Sequence, residues 1–359
     1  MRTNKTTGNA LDSANLIAKS RFIIPGNVDP DGAKPVEEGG FRTDAPTTHQ
    51  LAMHLLFSKA VRAKWDLRTF DVNTAFLSGK EQTRELYVRL PPDGLPGVPH
   101  GSLLKLIKGV YGLKEAPRLW YLRAVELIRE SGWTELESSK ATFVCRDPKT
   151  GELTGMLVLH VDDACYAGKG AHYEQCVKNL WNNMNLGKEG KGSEGFQFLG
   201  RWVKQNPDFS IEVDQSEYVR NLERVHIPLA RRRTPGSPLT EKELHDYRSI
   251  VGQLAWPARE TMPQLSYAVS DLQQRTGQAT VKDLHAANKL VKEAQEIVQA
   301  GHKLRFPVLP SMHTTQVQLE LSQQQDSKIK RYNKISSQDD PQEIIRSRCS
   351  IRCIFYGTA

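Results

Sequence analysis

The spacing of hydrophobic positions changes period several times along the chain, and each change marks an element. Between Thr48 and Trp65, Leu51, Leu55 and Leu56 fall at helical spacing. Leu67 to Val72 alternates as a strand does, and so does Leu86-Tyr87-Val88-Arg89-Leu90. Pro91-Pro92-Asp93-Gly94 stops that second strand, because proline cannot donate to a ladder and glycine accepts turn dihedrals. Pro117 suits the first turn of a helix whose face is Trp120, Ala124, Leu127 and Ile128, with Gly132 at its end. Met156 to Val161 is β-rich, Asp162-Asp163 interrupts it, and Ala164 to Ala167 resumes, which predicts a hairpin with both acids at its tip. A helix follows with Tyr173, Val177, Leu180, Trp181 and Met184 on one stripe. Phe196–Lys204 and Phe209–Val213 form a second predicted hairpin around Asn206-Pro207-Asp208.

Beyond it the chain turns helical. Asp214 and Glu217 suggest a capping box for a helix through Val225. Tyr247, Ile250, Val251 and Leu254 make a second helical face, and Leu284, Ala287, Val291, Ala294 and Val298 a third, ended by Gly301. Residues 1–18 are polar and aperiodic and are expected to be flexible, and 302–359 read as a polar, disordered tail. The pattern predicts a mixed α/β body to about residue 214, a helical region over 215–301 and that tail, with no internal repeat.

Composition narrows the class. In 359 residues, 49 Lys and Arg stand against 41 Asp and Glu, a net charge of +8 that favours polyanionic partners, nucleic acid first. No apolar run approaches the ~20 residues of a membrane span, and Met1-Arg2-Thr3-Asn4-Lys5 lacks the apolar core of a secretory signal. Five cysteines are too few and odd in number for a disulfide framework. Cys349 and Cys353 have no His or Cys nearby to complete a zinc site, and no His/Cys array precedes them. An intracellular protein is expected.

Asp71 closes a predicted strand, and Asp162-Asp163 sits on a hairpin some ninety residues later. Acids at strand ends can converge on one spot and hold Mg²⁺, a hard cation that takes oxygen ligands and keeps waters for substrate phosphates. Two such ions about 3.5–4 Å apart stabilise the attacking and leaving oxygens of an in-line phosphoryl transfer. Asp-Asp is equally a good turn pair, so the acids alone leave both accounts open.

Three motifs occur in order: Phe70-Asp71-Val72-Asn73-Thr74-Ala75-Phe76-Leu77, then Tyr111-Gly112-Leu113-Lys114-Glu115-Ala116-Pro117-Arg118-Leu119-Trp120-Tyr121, then His160-Val161-Asp162-Asp163. With Glu85–Pro92, Phe198-Leu199-Gly200, Tyr247–Leu254 and Ser266–Val269, they make residues 19–300 resemble the reverse transcriptase of copia-type LTR retrotransposons. The resemblance implies an α+β right-hand polymerase: fingers and palm over 19–214, a helical thumb or connection region over 215–301. It implies RNA-directed DNA synthesis, a nucleotidyl transfer in which two Mg²⁺ ions, or Mn²⁺ in their place, act on a primer 3′-OH and a deoxynucleoside triphosphate. Primed RNA or DNA template is the implied partner, and a cytoplasmic virus-like particle or the nucleus the implied setting.

Residue by residue, the resemblance makes Asp71 and Asp162 the metal-holding carboxylates and Asp163 the supporting third. Phe76 matches an aromatic steric gate against the ribose 2′-OH, although a core Phe would satisfy the same position. Tyr111 and Gly112 would lie under the templating base pair. Lys19 and Arg21 match a basic pair that contacts the triphosphate, or are simply solvated cations. Phe198, Leu199 and Gly200 match a hairpin that steadies the primer end, and His160 is a candidate contact to the primer backbone. Arg231-Arg232-Arg233 offers phosphate contacts or an exposed run.

The chain departs from that pattern. His160 replaces a Tyr, and Glu115 replaces a Gln, bringing negative charge towards the expected template phosphates. After Gly301, Asp326, Asp339-Asp340 and Glu343 stand in an aperiodic stretch without the strands of a ribonuclease H, so a fragment without ribonuclease H, integrase or protease is expected. The alternative to a polymerase is an inactive retrotransposon remnant that binds nucleic acid if it acts at all. A metal-dependent nuclease using the same acids is a third reading, disfavoured by the motif order.

Overall fold

The computed structural model describes residues 23–309 apart from 91–93 and 96, together with the backbone of 2–6 and 16–20; at Ala33, too, only the backbone is described. The strands and helices are β1 (Arg2–Thr6), β2 (Leu16–Ser20), α1 (Gln50–Ala63), β3 (Asp66–Asp71), β4 (Tyr87–Arg89), β5 (Leu103–Lys105), α2 (Ala116–Glu130), β6 (Thr134–Glu135), β7 (Thr142–Arg146), β8 (Leu153–His160), β9 (Asp163–Gly168), α3 (Ala171–Asn183) and β10 (Gly190–Lys191). They continue with β11 (Phe196–Phe198), β12 (Arg201–Gln205), β13 (Ile211–Asp214), α4 (Ser216–Arg220), α5 (Leu229–Arg232), α6 (Glu241–Glu260), α7 (Ser266–Gln274), α8 (Val281–Gln299) and β14 (Leu304–Phe306). The class is mixed α/β. Among the described residues no helix is long and apolar enough to cross a membrane.

The centre is a six-stranded sheet in the order β10-β3-β9-β8-β7-β6. β8 reads as a continuous apolar run because both faces of this sheet are covered. Leu157 and Leu159 face α2 and α3, where Trp120, Ala124, Ile128, Tyr173 and Leu180 share one core. Met156 and Val158 face the other way, towards α1 and a four-stranded sheet of order β11-β12-β13-β14. α1 buries Met53, Leu56, Phe57 and Ala60; Leu51 and Leu55, which suggested the helix, lie half a turn round and are exposed. The helical face on α2 and the stripe on α3 are buried as their spacing predicts, Trp181 only in part.

α4, α6, α7 and α8 enclose a second core around Tyr247, Leu254, Leu272, Leu284 and Val291. α6 begins with a reciprocal box, in which Thr240 Oγ1 accepts from the Glu243 N–H and a Glu243 carboxylate oxygen accepts from the Thr240 N–H. Arg201 on β12 and Glu260 at the end of α6 form an ion pair with both side chains 5% exposed, and Arg259 binds the same carboxylate at 2.8 Å.

Several expectations are corrected. Residues 2–6 and 16–18 of the stretch expected to be flexible form, with 19–20, an antiparallel ladder in which Thr3 opposes Lys19, since main-chain hydrogen bonds need no apolar periodicity. Phe196–Lys204 is two strands, because Leu199 (φ 50°) and Gly200 (φ 73°) turn the chain between them. Asp214 does not join a capping box with Glu217; its carboxylate accepts from the Ser216 N–H at 2.6 Å, and α4 stops at Arg220. Leu304–Phe306 of the expected tail pairs with β13, since alternating Leu304 and Phe306 pack on its core. The rest of that tail, from Pro310, lies outside the described residues.

Candidate active site

β3 and β9 run antiparallel with Asp71 directly opposite Asp163, so the register itself joins two motifs ninety-two residues apart. The hairpin differs from expectation by one residue. His160 pairs with Asp163, and the two-residue turn is Val161-Asp162, so Asp163 ends a strand and only Asp162 stands at the tip. Val161 takes the left-handed conformation (φ 60°), an uncommon one for a β-branched residue. Its carbonyl is held by the Trp120 indole N–H at 2.6 Å, and the Asp162 carbonyl accepts from the Val72 N–H at 2.8 Å. Strain in the turn is thus held from both sides, which fixes where the tip carboxylate projects.

Asp71 and Asp162 are exposed and Asp163 is half-buried. Burial raises the Asp163 pKa above the ordinary carboxylate range, the charges of Asp162 and Asp71 raise it further, and His160 opposes them. These three acids therefore feel one another. The Asp71 carboxylate rests against Gly187, where an added Cβ would lie 2.4 Å from Oδ1; the Gly187 N–H also donates to the Asp71 carbonyl at 2.8 Å. An all-oxygen donor set with mutual repulsion, partly exposed at a strand end, fits a hard divalent cation. Lys188 and Lys191 line the adjoining cleft of about 290 Å³ with Asp71 and Asp163. Sequence reasoning passed over this loop; its glycine spacing (Gly187, Gly190, Gly192) was the available signal.

Phe76 lies in a 3-10 turn, Ala75–Ser78, just after β3, and is half-buried. Its ring meets Tyr111 edge-on at 5.3 Å. Gly112 is required by the protein's own backbone: at φ 96° an added Cβ would fall 2.0 Å from the Ile24 carbonyl oxygen. The neighbouring hydrogen bonds, Ile24 N–H to Tyr111 O at 2.8 Å and Gly26 N–H to Gly112 O at 3.2 Å, tie segment 23–26 to this turn. Lys19 is described only in its backbone, and Arg21 lies outside the described residues.

The residues expected on the primer side divide. Phe198 is 1% exposed in the core, so its side chain offers no surface to a ligand, which corrects that expectation. The Leu199-Gly200 turn is accessible and meets α6, where an added Cβ at Gly200 would lie 2.8 Å from the Trp256 ring. A groove of about 580 Å³ beside it joins His160, Leu199, Trp256, Arg259, Thr48 and His49. Trp256 and Arg259 were missed because α6 is distant in sequence, although the Trp in Leu254-Ala255-Trp256 stood beside a noted motif.

Two charges change meaning. Glu115 is 5% exposed and takes bonds from Arg84 Nε (3.1 Å) and Nη2 (3.0 Å), so it does not face template phosphates. Burial works against the Arg84 charge, but hydrogen bonds with Asp29 and Glu115 outweigh it and hold the guanidinium pKa above its ordinary value. Arg231 is likewise committed, to both oxygens of Glu243 at 2.9 and 2.7 Å.

A family model described as reverse transcriptase (RNA-dependent DNA polymerase) matches residues 12–227. The retrovirus-related Pol polyprotein from transposon RE1 of Arabidopsis thaliana is 29% identical over 286 residues, covering 76% of this chain and 19% of its own length. A transposon Ty5-1 protein of Saccharomyces cerevisiae is 26% identical over 241 residues, 62% of this chain and 74% of its own. This chain thus spans about a fifth of the RE1 polyprotein. A solved telomerase from Candida albicans, with a telomeric RNA fragment, aligns with 72% of this chain and 51% of its own at 13% identity and a TM-score of 0.32.

Proposed function

The chain belongs to the reverse transcriptase (RNA-dependent DNA polymerase) family, in the form carried by copia-type transposon Pol polyproteins, and we propose that it extends a primer 3′-OH with deoxynucleotides on an RNA or DNA template. The observation that carries this reading is the opposition of Asp71 and Asp163 across two strands, with Asp162 on the adjoining turn. In right-hand terms residues 19–214 would be fingers and palm, with the six-stranded sheet, α2 and α3 as the palm, and residues 215–301, which hold α4–α8, the thumb or connection region.

Asp71 and Asp162 would hold two Mg²⁺ ions, or Mn²⁺ in their place, which when bound lower the pKa of the 3′-OH and neutralise the departing pyrophosphate. The chain's own contribution is placement and charge. Asp163 adds negative potential behind the two ligands; burial first, and then the charges of Asp162 and Asp71, raise its proton affinity, and a bound cation would relieve the repulsive part. Lys188 and Lys191 line the cleft and add positive charge beside it. Phe76, braced edge-on by Tyr111, would act as the aromatic gate against the 2′-OH that its motif implies. Lys19 and Arg21 would meet the triphosphate. Leu199, His160 and Arg259 line the groove that would take the primer end, with Gly200 beside it in the same turn. No side-chain nucleophile is needed, because phosphoryl transfer is governed by positioning and electrostatics.

Primer extension on poly(rA)/oligo(dT) with Mg²⁺ tests the proposal. Wild type should extend, and Asp162→Asn should fall below about one-hundredth of that rate with an unchanged circular-dichroism spectrum, since it removes one charge at an exposed turn. Undiminished extension by the variant would overturn the assignment. Absence of extension by folded wild type would favour the non-catalytic nucleic-acid-binding remnant.

A further inference from the structure

Away from the carboxylates, the sheet and α3 bring together three side chains that polymerisation does not use. Cys145 leaves β7, while His172 and Cys176 lie one turn apart on α3. The two Sγ atoms are 3.4 Å apart, Cys176 Sγ is 3.5 Å from His172 Nε2, and all three ligand atoms fall within 4.8 Å of one another. Both cysteines are buried, and His172 is partly exposed.

We propose that Cys145, His172 and Cys176 form a zinc site that staples α3 to the sheet, with water in the fourth position.

The spacing suits the ion. Zn–S bonds of about 2.3 Å and Zn–N bonds of about 2.0 Å at tetrahedral angles put sulfurs about 3.8 Å apart and sulfur and nitrogen about 3.5 Å apart. The observed 3.4 and 3.5 Å lie within small side-chain adjustments of that figure. Soft thiolates with one imidazole select zinc over the hard cations suited to the aspartates. Charge also balances: Zn²⁺ displaces one proton from each thiol, and the resulting Zn²⁺ with two thiolates and neutral imidazole carries no net charge into the core. The Thr154 hydroxyl has both the Cys145 carbonyl oxygen, at 3.2 Å, and Cys145 Sγ, at 3.5 Å, as acceptors within reach, a second-layer contact of the kind that steadies a ligand. A buried cysteine pair kept only for packing would not require an imidazole nitrogen at the same point. His172, being partly exposed, gives the ion a route inward.

The site stands apart from the polymerase carboxylates. Cys145 pairs with Gly155 on β8, five residues before His160, which is roughly 17 Å along the strand from the catalytic hairpin. The test uses the full chain, purified under reducing conditions, stripped with chelator and titrated with Zn²⁺ against a chromogenic competitor. Wild type should bind one equivalent and show a thiolate-to-metal charge-transfer band when Co²⁺ is substituted. His172→Ala alters a partly exposed residue and spares the core; it should weaken Zn²⁺ binding at least about 100-fold, with primer extension unchanged in both proteins. Zinc should raise the thermal midpoint of wild type and not of His172→Ala. Failure of wild type to bind an equivalent would overturn the proposal. So would undiminished binding by His172→Ala, or a Cys145–Cys176 disulfide formed under mild peroxide equally fast with and without zinc.

Discussion

Asp163 shares its strand end with two further carboxylates, and its burial, together with their charges, raises its proton affinity. The same scale decides Phe76. Its ring is neither wholly core nor wholly free: half-buried and fixed edge-on by Tyr111, it keeps one surface for a ligand. Phe76→Ala should therefore admit ribonucleotides, lowering discrimination against them at least about tenfold, ~1.4 kcal/mol in the transition state. Single-nucleotide incorporation of dNTP and rNTP measures it, and unchanged discrimination would return Phe76 to packing alone. Glu115 carries the opposite lesson. It looked like an intrusion on a template path, yet Arg84 neutralises it inside the fold.

At the scale of elements, capping shows how a sequence cue is realised or redirected. The Asp214/Glu217 spacing resembles a cap, but Asp214 closes a local turn onto Ser216. The box that forms belongs to Thr240 and Glu243 at the start of α6. Hydrogen bonds from Arg231, then from Thr240, outweigh burial and hold the Glu243 pKa down at about 2. A folded-state pKa below the unfolded value gives stability that is present above about pH 4.5 and is lost as pH falls through about 2. Glu243→Gln should therefore cost about 1 kcal/mol at pH 7, the usual worth of a cap, and the gap from wild type should close between those two pH values. Urea denaturation at pH 7, 4 and 2.5 checks it; a gap independent of pH would mean that the charge plays no part.

For the folded body of residues 23–309, the contact with most at stake is the buried pair Arg201–Glu260, because it joins the sheet carrying the Leu199-Gly200 turn to the helix carrying Trp256. Burial pulls the Arg201 pKa below its ordinary value and the Glu260 charge resists. Arg201→Met should destabilise by about 3 kcal/mol, the low end for a broken buried pair, since Arg259 still binds Glu260. Arg201→Met/Glu260→Met should regain most of that loss, because two apolar side chains of similar size leave no buried charge. Chemical denaturation of wild type and both variants reads this directly; a double variant no better than the single would show that the pair contributes more than its desolvation.

Local chemistry along the chain was enough for the helices with buried stripes, for the strand character of β3 and β8, and for the three ordered motifs that identify the family, because period and turn residues act over a few positions. Tertiary structure decided what depends on contact between distant segments. It put Asp163 rather than Asp162 in the strand opposite Asp71, a one-residue difference fixed by ladder register. It turned Leu51 and Leu55 outward and Met53 and Phe57 inward, because the covering sheet selects the face. It buried Phe198, spent Arg231 on Glu243, and brought Cys145 to His172 and Cys176 across twenty-six or more intervening positions. Spacing in sequence cannot report such meetings, since they arise only when separate elements pack together.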